Sequence, residues 1–161
     1  MAVDMFLKID GIDGDSSAHK HKGEIEILSF SWGITNQTST GGGGGGGVGK
    51  AVVQDFIIVK EVGSSSPQIL EKCCRGQHIP SVSLTLASKE TKLEYMKIKL
   101  EDVLISSYQT GGAGGGSAAM DEVKFNFSRL DVQAANSKGQ FEQVSCDFGK
   151  GTTDAAHNHD H

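Results

Sequence analysis

The chain has 161 residues and carries 15 Lys+Arg against 20 Asp+Glu, a net charge of −5; that length suits one domain able to bury a core without disulfides or metals. Only Arg75 and Arg129 are arginines, and a mildly acidic, arginine-poor chain excludes nucleic acid as a partner. Hydrophobic residues make up only 37%, a deficit explained by 22 glycines, of which eight fall in Gly41–Gly49 and five in Gly111–Gly116.

No apolar run approaches the roughly 18 residues of a membrane span, so no membrane insertion is expected. The first ten residues lack the basic-then-apolar pattern of a secretory signal, and without one the sequons at Asn36 and Asn126 carry no weight. Three cysteines, Cys73, Cys74 and Cys146, read as reduced thiols of a cytosolic protein, packed as small apolar side chains.

Alternation of apolar and polar residues organises the chain into strands. Met5, Leu7 and Ile9 mark the first, and Asp13-Gly14 a turn. In the next segment Ile25 and Ile27 are apolar at odd positions, then Leu28, Phe30, Trp32 and Ile34 at even ones. Such a parity flip needs a bulge or a change of partner. Trp32, in phase with Leu28, Phe30 and Ile34, is expected in the core. The flip recurs where Met96, Ile98 and Leu100 give way to Val103 and Ile105, and where Val123, Phe125 and Phe127 give way to Leu130 and Val132. Three long segments that switch face describe strands bending around a barrel or passing between two sheets. Ala51–Val62 reads as a strand buried on both faces, Ser81–Ser88 and Phe141–Phe148 as strands with one apolar side.

One segment has helical spacing. Ser66 fits an N-cap, Pro67 the first turn and Gly76 the left-handed stop, with Ile69, Leu70, Cys73 and Cys74 on one face. The expected fold is mainly β: an antiparallel two-sheet barrel of about seven or eight strands with one short flanking helix over about 67–75. Residues 1–150 form a single domain with glycine-rich loops at 41–49 and 111–116, and residues 151–161 a flexible His-rich tail.

Chemical motifs fail one by one, and no catalytic, cofactor-binding or metal-ligating residue is expected. Gly44-x-x-x-x-Gly49-Lys50 has phosphate-loop spacing, but Ala51 stands where Ser or Thr would hold magnesium, and a strand follows where a helix should open. His19-x-His21 and His157-x-His159-x-His161 read as solvated histidines with at most weak metal affinity. His78 reads as a hydrogen-bonded structural histidine. Ser29, Ser31 and Gly33 form the small, uncharged side of a seven-residue stretch, which suits a surface lining a cavity, a channel or a subunit contact.

Taken together, these residues resemble the Hcp family, the haemolysin-coregulated proteins that build the inner tube of type VI secretion systems. The resemblance rests on Met1-Ala2-Val3-Asp4-Met5-Phe6-Leu7-Lys8-Ile9-Asp10-Gly11 and Ile27-Leu28-Ser29-Phe30-Ser31-Trp32-Gly33. It continues through the glycine run to Gly49-Lys50, Val53-Gln54-Asp55, Ser66-Pro67 with Cys73 and Gly76, Glu94-Tyr95, and Val103-Leu104-Ile105-Ser106-Ser107. It covers residues 1 to about 133. It implies six-membered rings that stack into a hollow, ejected tube, with small effectors in the lumen and the tip-spike and sheath proteins as further partners. It also implies a cytoplasmic subunit that leaves through the apparatus without a signal peptide. On that reading Ser29, Ser31 and Gly33 face the lumen, and Gly41, Gly44, Gly47, Val48, Gly49 and Lys50 form the ring-stacking loop. The chain departs from the family at Ser145-Cys146-Asp147-Phe148-Gly149-Lys150, where an aromatic-glycine-tryptophan pattern tends to close the last strand. The alternative function is a monomeric barrel that binds a small ligand, which size separates from a ring.

Overall fold

The computed structural model describes residues 2–37, 50–148 and 154–158. Along the chain run β1 (Val3–Ile9), β2 (Ile25–Glu26), β3 (Ser29–Ser31), β4 (Ile34–Gln37), β5 (Lys50–Val53), β6 (Phe56–Glu61), α1 (Ser65–Arg75), β7 (Ile79–Ser88), β8 (Glu94–Gly111), β9 (Met120–Ala135), β10 (Phe141–Asp147) and β11 (Asp154–Asn158). Nine strands form one strongly curled antiparallel sheet, a half-barrel, and β4 and β5 a small second sheet. The main path runs β11-β10-β9-β8-β7-β1-β2, with β6 further along the same edge of β9 that pairs with β10, and β3 beyond it.

There are more segments than alternation alone implies because the chain between Glu24 and Val62 keeps changing partner. β2 pairs with β1, β3 with β6, and β4 with β5. The first parity flip is therefore a change of partner. Trp32 is corrected by the same fact: it is half-buried, packed at the margin of the core with its ring 6.5 Å from Phe56. Leu28 and Ile34, its expected companions, are exposed. The strand expected over Ala51–Val62 breaks at Gln54–Asp55 into β5 and β6, and in β6 only Phe56, Ile58 and Lys60 are buried, so one face points inward.

The other two flips are one feature. β8 and β9 pair along almost their whole length, with Leu100↔Leu130 and Val103↔Phe127 all buried. Between those pairs Asp102 adopts φ +53, a left-handed conformation that turns β8 over. Its carboxylate accepts a 2.7 Å hydrogen bond from the Ser128 hydroxyl across the ladder and lies 2.9 Å from His78 Nδ1. At the same level β9 exchanges partners along its outer edge, from β6 (Phe56↔Phe125) to β10 (Asp147↔Arg129). Both halves of the sheet thereby turn their apolar rows toward one interior. β10 answers the question raised by its atypical sequence: it pairs along Arg129–Ala135, and the Phe148 ring sits edge-on to Phe127 at 6.3 Å. Within 151–161, β11 extends that edge, with Ser145↔Ala156.

Helix α1 begins two residues earlier than its sequence signals and ends as they indicate. Gly76 takes φ +57, and the Gly76 and Gln77 amides donate to the Cys73 and Lys72 carbonyls. Its buried face is narrower than expected: Ile69 is fully buried and Cys73 half-buried, whereas Leu70 and Cys74 are exposed. The packing of Cys74 as a buried small side chain is thus corrected. Ile69→Ala should cost about 2–5 kcal/mol by leaving a cavity, and Leu70→Ala less than about 0.5 kcal/mol. Denaturant unfolding of the two variants measures both.

Candidate functional site

Register places the sequence-derived site residues on a surface. Across β3, β6 and β9 the row Phe30↔Ile58↔Val123 faces inward, and the flanking rows Ser31↔Ile57↔Lys124 and Ser29↔Val59↔Glu122 face outward. Ser29 and Ser31 are exposed, back to back with the core, as their parity implies. The face is small and uncharged only along β3. Two strands away it carries Glu122 and Lys124, which the linear sequence hides.

Gly33 is half-buried and joins β3 to β4; its carbonyl accepts the Gln54 amide at 2.9 Å. Beyond it, Ile34 and Val52 leave apolar side chains exposed on the β4–β5 ribbon. Gly41, Gly44, Gly47, Val48 and Gly49 lie outside the described residues, and Lys50 enters as the first residue of β5.

The inward side of the same ladder ends in a charge pair. Lys60 and Asp121 are register partners, 1% and 0% exposed. The Lys60 ammonium donates to Asp121 Oδ2 at 2.9 Å, Ser66 Oγ at 2.9 Å and the Glu61 carbonyl at 3.2 Å, so its three protons have three acceptors. The Ser66 hydroxyl donates to Asp121 Oδ2 at 2.5 Å and accepts the Gly63 amide, and the Tyr108 hydroxyl donates to Asp121 Oδ1 at 2.8 Å. This draws Ser66 into the first turn of α1 and explains the early helix start. Burial alone would raise the Asp121 carboxyl, but hydrogen bonds from Lys60, Ser66 and Tyr108 outweigh it and hold the group below the usual carboxylate range. Burial, then the neighbouring carboxylate, pushes the Tyr108 phenol up. Sequence reasoning missed this network. Its signal was available: Lys60 shares parity with Phe56 and Ile58, and Asp121 with Val123 and Phe125.

The histidines divide. His78 is hydrogen-bonded, as expected, to Asp102, and the Ser128 and His78 bonds hold that carboxyl below its usual range. His21 is corrected. It is largely buried rather than solvated, stacked 4.3 Å from the Phe6 ring and bonded through both ring nitrogens to Glu24 and Glu94. Among the described residues, no three His, Cys, Asp or Glu side chains are grouped to hold a metal ion. No helix there is long and apolar enough to cross a membrane.

Comparison with known proteins gives concordant matches. Residues 6–134 match the family described as "Type VI secretion system effector, Hcp". The chain is 42% identical over 134 residues to Protein hcp1 of Pseudomonas aeruginosa, covering 82% of this chain and 83% of that one. The crystal structure of Hcp1 from Salmonella typhimurium superposes with a TM-score of 0.82 at 33% identity, covering 96% of this chain and all of that one. A type VI secretion system effector from Yersinia pestis gives 0.76 at 30% identity, with 89% and 99% covered.

The Asp121 environment sets the direction of the acid response. A carboxyl depressed in the folded state adds stability that is fully present above its ordinary value of about 3.9 and is lost as pH falls through the folded value. Stability of the parent should therefore hold down to about pH 5 and then decline. Asp121→Asn should be less stable at neutral pH and show a shallower acid decline, with Asp15, Glu94 and Asp102, also depressed, supplying the remainder. Urea titrations across that range measure the slopes; equal slopes would remove Asp121 from the explanation.

Proposed function

The chain belongs to the Hcp family of type VI secretion proteins, and we propose that it serves there as a tube subunit with no chemistry of its own. Six copies close into a ring, rings stack into a hollow tube, and the tube is secreted with small effectors in its lumen. The observation that carries this reading is the outward β3 face: Ser29 and Ser31 stand exposed directly behind the core row that contains Phe30. In a closed ring that face lines the channel, with Gly33 at its end. The wall combines hydroxyls along β3 with Glu122 and Lys124 two strands away, a mixed surface suited to holding partners loosely.

The β4–β5 ribbon supports a second part of the reading. It forms its own two-stranded sheet and leaves Ile34 and Val52 exposed, which suits packing against a neighbouring copy. The loop containing Gly41, Gly44, Gly47, Val48, Gly49 and Lys50 springs from this ribbon and is assigned to ring-to-ring contact. The sheath and tip-spike proteins meet the outside and end of the tube, and the subunit leaves the cytoplasm through the apparatus without a signal peptide.

A purified ring tests both levels of the proposal. Six copies of a 17.0 kDa chain give roughly 102 kDa, which native mass spectrometry separates from the monomer that a ligand-binding barrel would show. Ser31→Gln should leave assembly and melting almost unchanged, since surface substitutions stay within about 0.5 kcal/mol, yet lower the amount of effector that co-purifies. Monomer alone at micromolar concentration would remove the ring, and unchanged effector retention would move Ser31 to the outer wall.

A further inference from the structure

The loop between β1 and β2 is a closed unit. Its backbone bonds run largely within itself: the Gly14 amide to the Gly23 carbonyl at 2.7 Å, Ser16 to Glu24 at 2.9 Å, Gly23 to Ser16 at 2.9 Å and His21 to Ala18 at 3.0 Å. The two limbs of this loop approach so closely that a Cβ on Gly14 would collide with the Glu24 carbonyl oxygen. Two polar side-chain ties join it to the rest of the molecule. At one end Asp15 accepts the Ser64 amide and hydroxyl ahead of α1, at 3.1 and 2.6 Å. At the other, His21 reaches the sheet.

The His21 contacts impose a protonation state. Nδ1 lies 3.0 Å from both Glu24 oxygens, and Nε2 lies 2.7 Å from Glu94 Oε1. A carboxylate only accepts, so both contacts are hydrogen bonds only when both ring nitrogens carry protons. A neutral imidazole has one N–H and turns a lone pair toward the other carboxylate. The ring also lies flat on Phe6, 4.3 Å between centroids and 8° between planes, an arrangement that favours a cation over the aromatic face.

The sheet is shaped to receive this ring. The β7–β8 register shifts at Leu86/Ala87, so that Leu86 faces Met96 and Ala87 faces Glu94, with Tyr95 as the extra residue. Without the bulge, Glu94 would share the inward parity of Met96. With it, Glu94 joins Asp4 and Ala87 in one outward row, beside Phe6, Thr85 and Lys97. Phe6 and Ala87 point outward yet are 5% exposed, because the loop lies over them. A cavity of about 310 Å³ remains at the seam between Phe6, Ala18, His19 and Ala87.

We propose that His21 is a proton-controlled latch: as an imidazolium it clamps the 13–24 loop to β1 and β8, and on losing a proton it releases the sheet side of the loop and uncovers Phe6. The charged groups around it are Glu24 and Lys20 on the loop with His19, Asp4 on β1, Glu26 on β2, Glu94 and Lys97 on β8, and Lys89 and Lys92 in the turn before β8. No lysine pairs with the imidazole itself: Lys97 lies 3.3 Å from the other oxygen of Glu94, and Lys89 and Lys92 lie 3.7 and 3.8 Å from Asp4. Among the described residues, Glu24 and Glu94 alone contact the imidazole as acceptors. Burial would raise the Glu94 carboxyl, but bonds from His21 and Lys97 hold it below its usual range, and the Lys97 contact remains when the latch opens. Release leaves the loop's internal backbone bonds intact and its Asp15 tie to Ser64 in place. The loop therefore swings from the α1 end and does not unfold.

Hydroxyl-radical footprinting of the full-length chain tests this at about pH 5.5 and about pH 9, either side of the ordinary imidazole value near 6.5, with oxidation of the buried Phe6 ring read against the exposed Phe141. Phe6 should be labelled about tenfold or more faster at the higher pH, the size expected for loss of a charge-assisted bond. Backbone amides of 13–24 and of α1 should keep their hydrogen-exchange protection, because the loop's own bonds and its Asp15 tie survive release. His21→Gln should show the faster Phe6 labelling at both pH values, and His21→Arg the slower labelling at both. Equal Phe6 labelling of the parent at both pH values would overturn the latch. So would the same pH dependence in His21→Gln.

Discussion

The Lys60–Asp121 pair is the constraint on which the rest of the fold turns. It is the last inward-facing rung between β6 and β9, after the apolar pairs Phe56↔Phe125 and Ile58↔Val123. A charge pair this deep is tolerable only when every proton and lone pair finds a partner. Ser66 from the helix, Tyr108 from β8 and the Glu61 carbonyl complete the set. Four elements must therefore arrive together. A shift of one residue in the β6–β9 register would turn the inward row of one strand outward and leave either the Lys60 ammonium or the Asp121 carboxylate buried without its partner, so the pair specifies register more strongly than any apolar contact could.

The function proposed for the outer face inherits that register. Because Lys60 and Ile58 must face inward, Ile57 and Val59 face outward, and with them Ser31, Ser29, Lys124 and Glu122. The wall assigned to the lumen is the reverse side of the core ladder, and its chemistry is fixed by the same pairing that fixes the interior. The second half of the sheet reaches the same interior through the left-handed Asp102, where β8 turns over and β9 changes partner. A half-barrel results because the two halves of β8 and β9 are folded against each other at that point.

Much of this was legible in the sequence, and what was not has one physical cause. Alternation reports which way a side chain points relative to its neighbours in the chain. The inward rows of β7, β8 and β9 were visible for that reason, and so were the face changes near Asp102 and Ser128. Gly76 marked the end of α1 because only a left-handed residue ends a helix in that way. Alternation does not report which strand lies alongside. Trp32 shares parity with Phe30 yet sits at the margin, because the chain has left β6 by that point. The outer face looked uncharged because Glu122 and Lys124 are distant in sequence and adjacent only through β6. His21 looked like a solvated loop histidine because Glu94, which fixes it, lies 73 residues away.

A double-mutant cycle on Lys60 and Asp121 measures the central constraint directly. Lys60→Met and Asp121→Leu should each cost about 3–5 kcal/mol alone, because each leaves a buried charge without its partner. Together they should return to within about 1–2 kcal/mol of the parent, since a well-packed apolar pair of similar volume replaces the ion pair at little net cost. A double variant whose loss equals the sum of the two single losses would contradict the account, because the two charges would then act independently and could not set the register of the sheet.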